Sequence, residues 1–185
     1  GLPARIQKRV AGNSFLTELS SVVEEKVPAL IETTKNMDIQ RFIQLLGDLI
    51  GLGPGLTPTG DDFITGFLAG LFCTSGNDPA RLHLLKALNY KSHIIFKATN
   101  EISRSFLSRA THGRFCESMV CFVEHMSTSR SALSLNKAID RVLNTGSTSG
   151  IATTAGLLAG LIPWGYNKPK KGTSSLRVFI SATLQ

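Results

Sequence analysis

Apolar residues recur every three or four positions along most of this chain, which is the spacing of an amphipathic helix. The pattern predicts a helix over 39–50 after the capping residue Asp38, and another that begins at Asp78-Pro79 and runs through Leu88. It also predicts a long helix over 94–110, ended by Gly113, and helices over 15–31, 115–123 and, after Ser134, 138–143. Only 176–182 alternates like a strand. We therefore predict an all-α fold, mainly a helical bundle, with at most one short strand near the C-terminus.

The chain contains an internal repeat. Residues 59–71 align without gaps on residues 149–161, with six identities: Gly60/Gly150, Gly66/Gly156, Leu68/Leu158, Ala69/Ala159, Gly70/Gly160 and Leu71/Leu161. Each copy, 57–72 and 147–162, opens with a hydroxyl-rich, glycine-bearing loop and continues as an apolar helix. We interpret the copies as two loop-helix units related by a pseudo-twofold axis, within a single helical domain that covers residues 1–185.

The glycines of the repeat predict how its helices pack. Gly66 and Gly70 lie four residues apart on one helix face, as do Gly156 and Gly160. Each interior glycine costs about 1 kcal/mol of helix propensity relative to alanine, so a compensating contact is expected. We predict that the two helices pack against each other through these faces, which brings both loops to the same end of the molecule.

Composition places the chain among globular domains. It has 185 residues, 42% of them hydrophobic, and its 20 Lys and Arg against 13 Asp and Glu give a net charge of +7. These values exclude disorder and coiled coil as the main architecture, and the longest apolar run, 63–73, is too short to cross a bilayer. The basic residues near both ends lack interleaved aromatic residues, so nucleic-acid binding is only a weak alternative.

The cysteines and the N-terminus bear on where the protein works. Three cysteines with no Cys-x-x-Cys pair fit neither a disulfide framework nor a structural zinc site, and they favour a reducing cytoplasm. The chain opens without Met and without the apolar segment of a signal peptide. We expect that an N-terminal part of the protein is missing from this sequence.

The strongest functional signal is the loop 51–62. Its glycines permit unusual backbone geometry, its two prolines stiffen it, and it leads into a helix N-terminus, where amide groups and the helix dipole favour anions. It lacks the Gly-Lys-Ser/Thr ending of a Walker A loop. We expect a phosphate or a carboxylate to bind there, and the second loop to complete the site. The candidate ligand-binding residues are Gly53, Gly55, Thr57, Thr59, Gly60, Ser147, Thr148, Ser149 and Gly150.

Two adjacent carboxylates complicate this anion site. Asp61 and Asp62 would repel an anion, so either a divalent cation such as Mg²⁺ bridges them to it, or they accept hydrogen bonds from an amide ligand. We assign both as candidate catalytic residues and as candidate metal ligands. The alternative is a purely structural role, because acidic residues in the first helical turn compensate the helix dipole.

The two loops resemble a known family, AllH, described as a subunit of oxamate carbamoyltransferase and long carried as a domain of unknown function. The resemblance covers about 46–161 and is carried by the run 53–58, Asp61-Asp62, Gly66, Gly146, Thr148-Ser149-Gly150 and Gly156. It implies phosphorolysis of oxalurate to oxamate and carbamoyl phosphate in allantoin degradation, carried out with other subunits. The sequence departs from some members of the family, which have His at the position of Ser147 and Asp at that of Ala152.

We therefore expect a subunit of a carbamoyltransferase-type complex that binds a small anionic ligand in its glycine-rich loops. The ligands implied by the resemblance are carbamoyl phosphate, phosphate and oxamate or oxalurate, and the partners are the other subunits of the complex. Whether this chain itself is catalytic, and whether it forms a homo-oligomer, stays open. The alternative is a noncatalytic assembly subunit that uses its glycine-rich helices for packing.

Overall fold

The computed structural model describes residues 14–128, 132–146 and 148–165. These residues form eight α-helices and one 3₁₀ helix: α1 (Ser14–Lys35), α2 (Ile39–Leu49), α3 (Thr59–Ser75), α4 (Pro79–Ile95), the 3₁₀ helix (Phe96–Ala98), α5 (Glu101–Thr111), α6 (Glu117–Thr128), α7 (Ala132–Leu143) and α8 (Ser149–Gly160). Within the described ranges there is no strand, so the predicted all-α class is confirmed. The strand predicted over 176–182 lies outside them. None of the described helices is both long enough and apolar enough to cross a membrane.

Two of the predicted helix starts are confirmed by their caps. The Asp38 side chain accepts a hydrogen bond from the backbone N–H of Arg41 at the start of α2. Asp78 accepts from the N–H groups of Ala80 and Arg81 at the start of α4. The predicted start at Ser134 is wrong, because α7 begins earlier and Ser134 lies inside its first turn.

The single long helix predicted over 94–110 is also wrong, because the structure divides it into α4, a 3₁₀ turn and α5. Thr99 is extended, with φ of −121° and ψ of 171°, and Asn100 caps α5 by accepting the Ser103 N–H at 3.0 Å. Arg104 donates to the carbonyl oxygens of Phe96 and Thr99 and so ties the start of α5 to the turn. The apolar spacing continues through the break, so periodicity alone does not detect it.

The break folds α5 back along α4. At the far end of the pair, the Thr111 hydroxyl donates to the Asn89 side-chain oxygen at 3.0 Å. The inner sides of both helices bury leucines, among them Leu84, Leu88 and Leu107, in one continuous core with α2 and α3. The hairpin therefore packs beside α3, and its turn lies near the start of that helix.

The helices of the repeat, α3 and α8, pack backbone against backbone at the centre of the fold. A Cβ atom on Gly66 would lie 1.9 Å from the carbonyl oxygen of Thr153, and one on Gly156 would lie 2.0 Å from that of Phe63. The two contacts are equivalent under the repeat: Gly66 corresponds to Gly156 and Phe63 to Thr153, each 90 residues apart, as a twofold relation requires. The predicted packing through glycine faces is confirmed.

The same symmetry governs how each helix of the repeat begins. A Cβ on Gly60 would lie 2.0 Å from the carbonyl oxygen of Leu49 in α2, and one on Gly150 would lie 2.1 Å from that of Val142 in α7. Each unit is therefore a helix, a loop and a second helix that starts against the end of the first. The first connection, 50–58, is longer than the second, 144–148, and it carries the Gly-Pro-Gly segment.

Candidate functional site

The two loops of the repeat meet at one end of the molecule. The hydroxyl oxygen of Thr57 lies 3.0 Å from that of Ser149, and both side chains are half-buried. Ser149 is the first residue of α8, and Thr57 lies two residues before α3. The N-termini of α3 and α8 are therefore adjacent, which brings together two regions of positive backbone potential.

Asp61 fixes the first loop from inside the protein. It is only 2% exposed, its Oδ1 accepts the N–H of Gly51 at 2.8 Å, and its Oδ2 accepts the hydroxyl of Thr99 at 2.5 Å. Gly51 has a φ of +76°, and a Cβ there would lie 2.6 Å from the carbonyl oxygen of Ala98. Both carboxylate oxygens of Asp61 thus hold the loop against the turn between α4 and α5.

The outer part of the loop is held from the same side. The side-chain amide of Asn100 donates to the carbonyl oxygen of Leu56 at 3.0 Å. At Gly53, where φ is +109°, a Cβ would lie 2.9 Å from the backbone nitrogen of Thr59. The tip of the loop is exposed, with Leu56 at 76% and Gly55 in open contact with solvent. The loop is therefore braced at its base and accessible at its tip.

Asp62, one residue further along α3, faces the second loop. Its Oδ2 accepts a hydrogen bond from the Thr57 hydroxyl at 3.2 Å. Burial raises the pKa of Asp62 from the usual 3.8 to about 6; hydrogen bonds from Ser149 and Thr57 lower it in part, and the charge of Asp61 raises it. Asp62 is therefore a carboxyl group that can gain and lose a proton near neutral pH.

The hydroxyls of Thr57 and Ser149 connect Asp62 to the second loop. Each hydroxyl has one proton. When Thr57 donates to Asp62, the single proton of Ser149 goes either to the Thr57 oxygen or to Asp62, and in both cases the three groups form one network across the pseudo-twofold axis. The equivalent of Asp62 in the second copy is Ala152, which is buried. This arrangement therefore contains one carboxyl group from the first copy and none from the equivalent position in the second.

Two of the candidate ligand-binding glycines already use their backbone N–H groups in hydrogen bonds within the protein. The N–H of Gly60 donates to the carbonyl oxygen of Leu52 at 2.8 Å, and the N–H of Gly150 donates to that of Thr145 at 2.9 Å. Both glycines are buried, and they allow the helix starts to pack closely.

The other candidates lie around the Thr57 and Ser149 contact. Gly53 is partly exposed, Gly55 is exposed, and Thr59 and Thr148 are half-buried at the starts of α3 and α8. Ser147 lies outside the described residues.

Thr99 and Asn100 were not identified from the sequence. Thr99 is 38 residues from Asp61, and nothing in the local pattern connects the two positions. Asn100 has a recognisable signal, because an asparagine that precedes a helical segment is a preferred N-cap, but the uninterrupted apolar spacing concealed the helix start. Arg104 binds carbonyl oxygens of the same turn and does not reach the loops in this arrangement.

The loops offer few of the donor groups that a metal ion requires. Among the described residues, no three His, Cys, Asp or Glu side chains are close enough together to hold one. With Asp61 engaged, the loops offer the carboxylate of Asp62 and the hydroxyls of Thr57 and Ser149. Magnesium commonly binds through one or two carboxylates together with substrate phosphates. These groups therefore fit Mg²⁺ only together with a phosphate-bearing ligand.

The described part of the chain also contains a cavity away from the loops. A cavity of about 170 Å³ lies between α3, α4 and α5 and is lined by Phe72, Leu82, Leu85, Lys86, Asn89, Thr111 and His112. His112 donates from Nδ1 to the carbonyl oxygen of Ser108 at 2.8 Å, which leaves Nε2 to accept from Asn89. Phe72 is ten residues along α3 from Asp62, or about 15 Å of helix rise. The cavity is thus separate from the site formed by the loops.

A known family matches the central part of the chain. A family model described as oxamate carbamoyltransferase subunit AllH matches residues 49–161, which is more than half of the chain. The match includes both loops and extends from the end of α2 to the end of α8. The chain matches no solved structure.

Proposed function

Because the chain belongs to the AllH family, we propose that it is a subunit of an oxamate carbamoyltransferase complex and binds a small anionic ligand between the N-termini of α3 and α8. The ligands we propose are carbamoyl phosphate, phosphate and oxamate or oxalurate. The observation that supports this site most strongly is the 3.0 Å contact between the hydroxyls of Thr57 and Ser149. It brings two helix N-termini and one protonatable carboxyl group, that of Asp62, to the same place.

The electrostatics of the site suit a ligand that carries both an anionic group and an amide. Helix N-termini attract the phosphate or carboxylate oxygens. Asp62 in its charged form accepts hydrogen bonds from the amide N–H groups of oxamate or of a carbamoyl group, while in its protonated form it donates to an anionic oxygen. With a pKa of about 6, Asp62 populates both its charged and its protonated form near neutral pH.

We assign different roles to the two adjacent carboxylates. In phosphorolysis of oxalurate, a phosphate oxygen bonds to the carbamoyl carbon, the bond from that carbon to nitrogen breaks, and the released nitrogen takes up a proton. Asp62 supplies that proton in our proposal and regains one from the hydrogen phosphate, which loses its proton as its oxygen bonds to carbon. The hydroxyls of Thr57 and Ser149 orient the carboxyl group of Asp62. Asp61 is a positioning residue, since Gly51 and Thr99 occupy its oxygens. Mg²⁺, if bound with a phosphate-bearing ligand, would be held by the charged form of Asp62, and Asp62 would then not supply the proton.

A noncatalytic assembly role is the second candidate. It is favoured by the number of glycines in the repeat whose space is filled by packing, such as Gly66 and Gly156, and by the internal hydrogen bonds of Asp61. In that case the loops only join the two repeat units, and no small anion stabilises the chain.

Ligand-dependent thermal stability of the full chain tests the two candidates. Carbamoyl phosphate, phosphate and oxamate are each added with and without Mg²⁺, and binding to the folded state raises Tm by mass action, equivalent to about 2.7 kcal/mol when the ligand is at one hundred times its Kd. We expect a rise for at least one ligand, and we expect Ser149→Ala to abolish it.

A matched control distinguishes loss of the binding site from a general effect of mutating α8. Thr154 is also in the first turns of α8, but its hydroxyl donates to the carbonyl oxygen of Gly150 within the helix. Thr154→Val should keep the full ligand response. If no ligand moves the Tm of the parent chain in any condition, the assembly role is favoured and the binding proposal is wrong.

A further inference from the structure

One hairpin of the described chain is strongly basic. Residues 79–114, which comprise α4, the 3₁₀ turn, α5 and the three residues after it, contain seven Lys and Arg and a single acidic residue, Glu101. Their formal charge is therefore +6, against +7 for the whole chain. A helix pair with so little internal compensation carries a positive potential over its outer surface.

Part of this charge lines one face of α4 together with exposed apolar side chains. His83, Lys86, Tyr90, His93 and Ile94 on α4, followed by Lys97 in the 3₁₀ helix, form a row in which most neighbours are three or four residues apart, and all six are exposed. We call this set the α4 stripe. Tyr90 is 74% exposed and Ile94 53%, although α4 already buries Leu84, Leu85 and Leu88 on its inner side. The helix is therefore apolar on its buried face and also at the centre of its outer face.

The tyrosine at the middle of the stripe is held in place by its neighbours. The Lys91 ammonium lies 5.8 Å from the centroid of the Tyr90 ring, and the His93 ring meets it edge-on with centroids 6.4 Å apart. An exposed aromatic side chain that its neighbours already position is a common anchor of protein interfaces, because less side-chain entropy remains to be lost on binding.

The lysines of the stripe have no ionic partner within the described part of the chain. The ion pairs found there join Lys26 to Asp48 and Arg81 to Asp78, and neither involves Lys86 or Lys97. No acidic residue occurs between Asp78 and Glu101. Carboxylates from outside the chain would therefore meet charges that intramolecular ion pairs leave uncompensated.

We propose that the α4 stripe is the docking surface for an acidic partner subunit, whose Asp and Glu side chains surround an apolar patch that receives Tyr90 and Ile94. This proposal rests on the proposed membership of a multisubunit complex. A second copy of this chain is a poor occupant, since it would set lysine against lysine, and like charges across an interface are costly. The stripe ends at Lys97, two residues before Thr99, so the partner docks next to the turn that braces the first loop.

The test is assembly of the full chain with the other subunits of the oxamate carbamoyltransferase complex. We expect the parent to form a complex whose affinity falls as salt rises, and carbodiimide, which couples lysines to carboxylates at contact, to crosslink Lys86 or Lys97 to partner acids. Tyr90→Asp and the double variant Lys86→Glu with Lys97→Glu should each weaken the complex about tenfold or more.

The matched control makes the same charge reversal at two lysines outside the α4 stripe. Lys35→Glu combined with Lys137→Glu changes two exposed lysines on α1 and α7, and it should leave the affinity within about twofold of the parent. All variants should retain the parent Tm, because the changed side chains are exposed.

Three outcomes would overturn the proposal: stripe variants that assemble like the parent, a stripe-dependent homodimer, or salt-sensitive binding of the stripe to a generic oligonucleotide without subunit assembly. The ligand test of the proposed function is independent of this result. A chain that fails to bind small anions but still assembles through the stripe overturns only the ligand site, and the reverse result overturns only the docking surface.

Discussion

The hydroxyl oxygens of Thr57 and Ser149 lie 3.0 Å apart, although 92 positions separate the two residues in the chain. The contact joins the long first loop to the first residue of α8, and it exists because the glycine faces of α3 and α8 let the two helices run in close contact. Through Thr57 it also reaches Asp62. The packing of the core and the chemistry of the site are therefore coupled.

The first prediction concerns the pH dependence of stability. The pKa of Asp62 is about 6 in the folded chain and near its usual 3.8 when unfolded, so the folded state binds more protons between these values. Stability from this group is therefore highest at low pH, falls as pH rises from about 4 to 6, and stays reduced above that. Asp62→Asn should remove the loss of stability that ionisation of this carboxyl group causes, which is about 1 kcal/mol in the free energy of unfolding after allowance for solvent screening.

The measurement is Tm against pH for the parent and for Asp62→Asn. The two proteins should agree near pH 4, and the variant should melt about 2–4 °C higher above pH 7. A difference that is the same at every pH would mean that titration of Asp62 is not its cause.

The second prediction tests the backbone contact between α3 and α8. Gly66→Ala and Gly156→Ala each place a Cβ within 2.0 Å of a carbonyl oxygen of the facing helix, so the helices must separate. Each should cost about 3 kcal/mol in the free energy of unfolding, measured by denaturant titration. Gly47→Ala in α2 is the control, since a Cβ there meets nothing within 4 Å, and it should stabilise by about 0.5–1 kcal/mol.

The third prediction concerns the hydrogen bond that braces the first loop. Thr99 donates to Asp61 at 2.5 Å in a buried setting, so a double-mutant cycle of Asp61→Asn and Thr99→Val should give a coupling of about 1–3 kcal/mol in unfolding free energy. The exposed pair Lys26 and Asp48, 2.8 Å apart, is the comparison and should give about 0.2–1 kcal/mol. Equal couplings in the two cycles would contradict a structural role for Asp61.

The fourth prediction concerns the free thiols. Burial raises the pKa of Cys73 to about 12, and only the thiolate reacts with iodoacetamide. In the native chain at pH 8, mass spectrometry should find label on the exposed Cys116 and none on Cys73, while all three cysteines react in denaturant. Rapid native labelling of Cys73 would show that the inner side of α3 opens readily.

The ends of the predicted helices show what local sequence can and cannot determine. Asp38 and Asp78 mark helix starts through their own side-chain hydrogen bonds, so both are predictable from a few residues. The break at Thr99 depends instead on Arg104 binding turn carbonyls and on Asp61 accepting the Thr99 hydroxyl. Those partners come from the next helix and from α3, and no local pattern contains them.

The sequence by itself determined the all-α class, the repeat and the packing of α3 on α8, because apolar periodicity is local and because only glycines permit backbones to approach so closely. The sequence could not assign different roles to Asp61 and Asp62, because the two residues are adjacent and chemically identical. Only the tertiary structure decided their different environments, since neighbouring residues on a helix point about 100° apart. The Asp61 carboxylate therefore faces Thr99 and holds the loop in place through its hydrogen bonds. The Asp62 carboxyl group faces Thr57 and Ser149 and can exchange a proton.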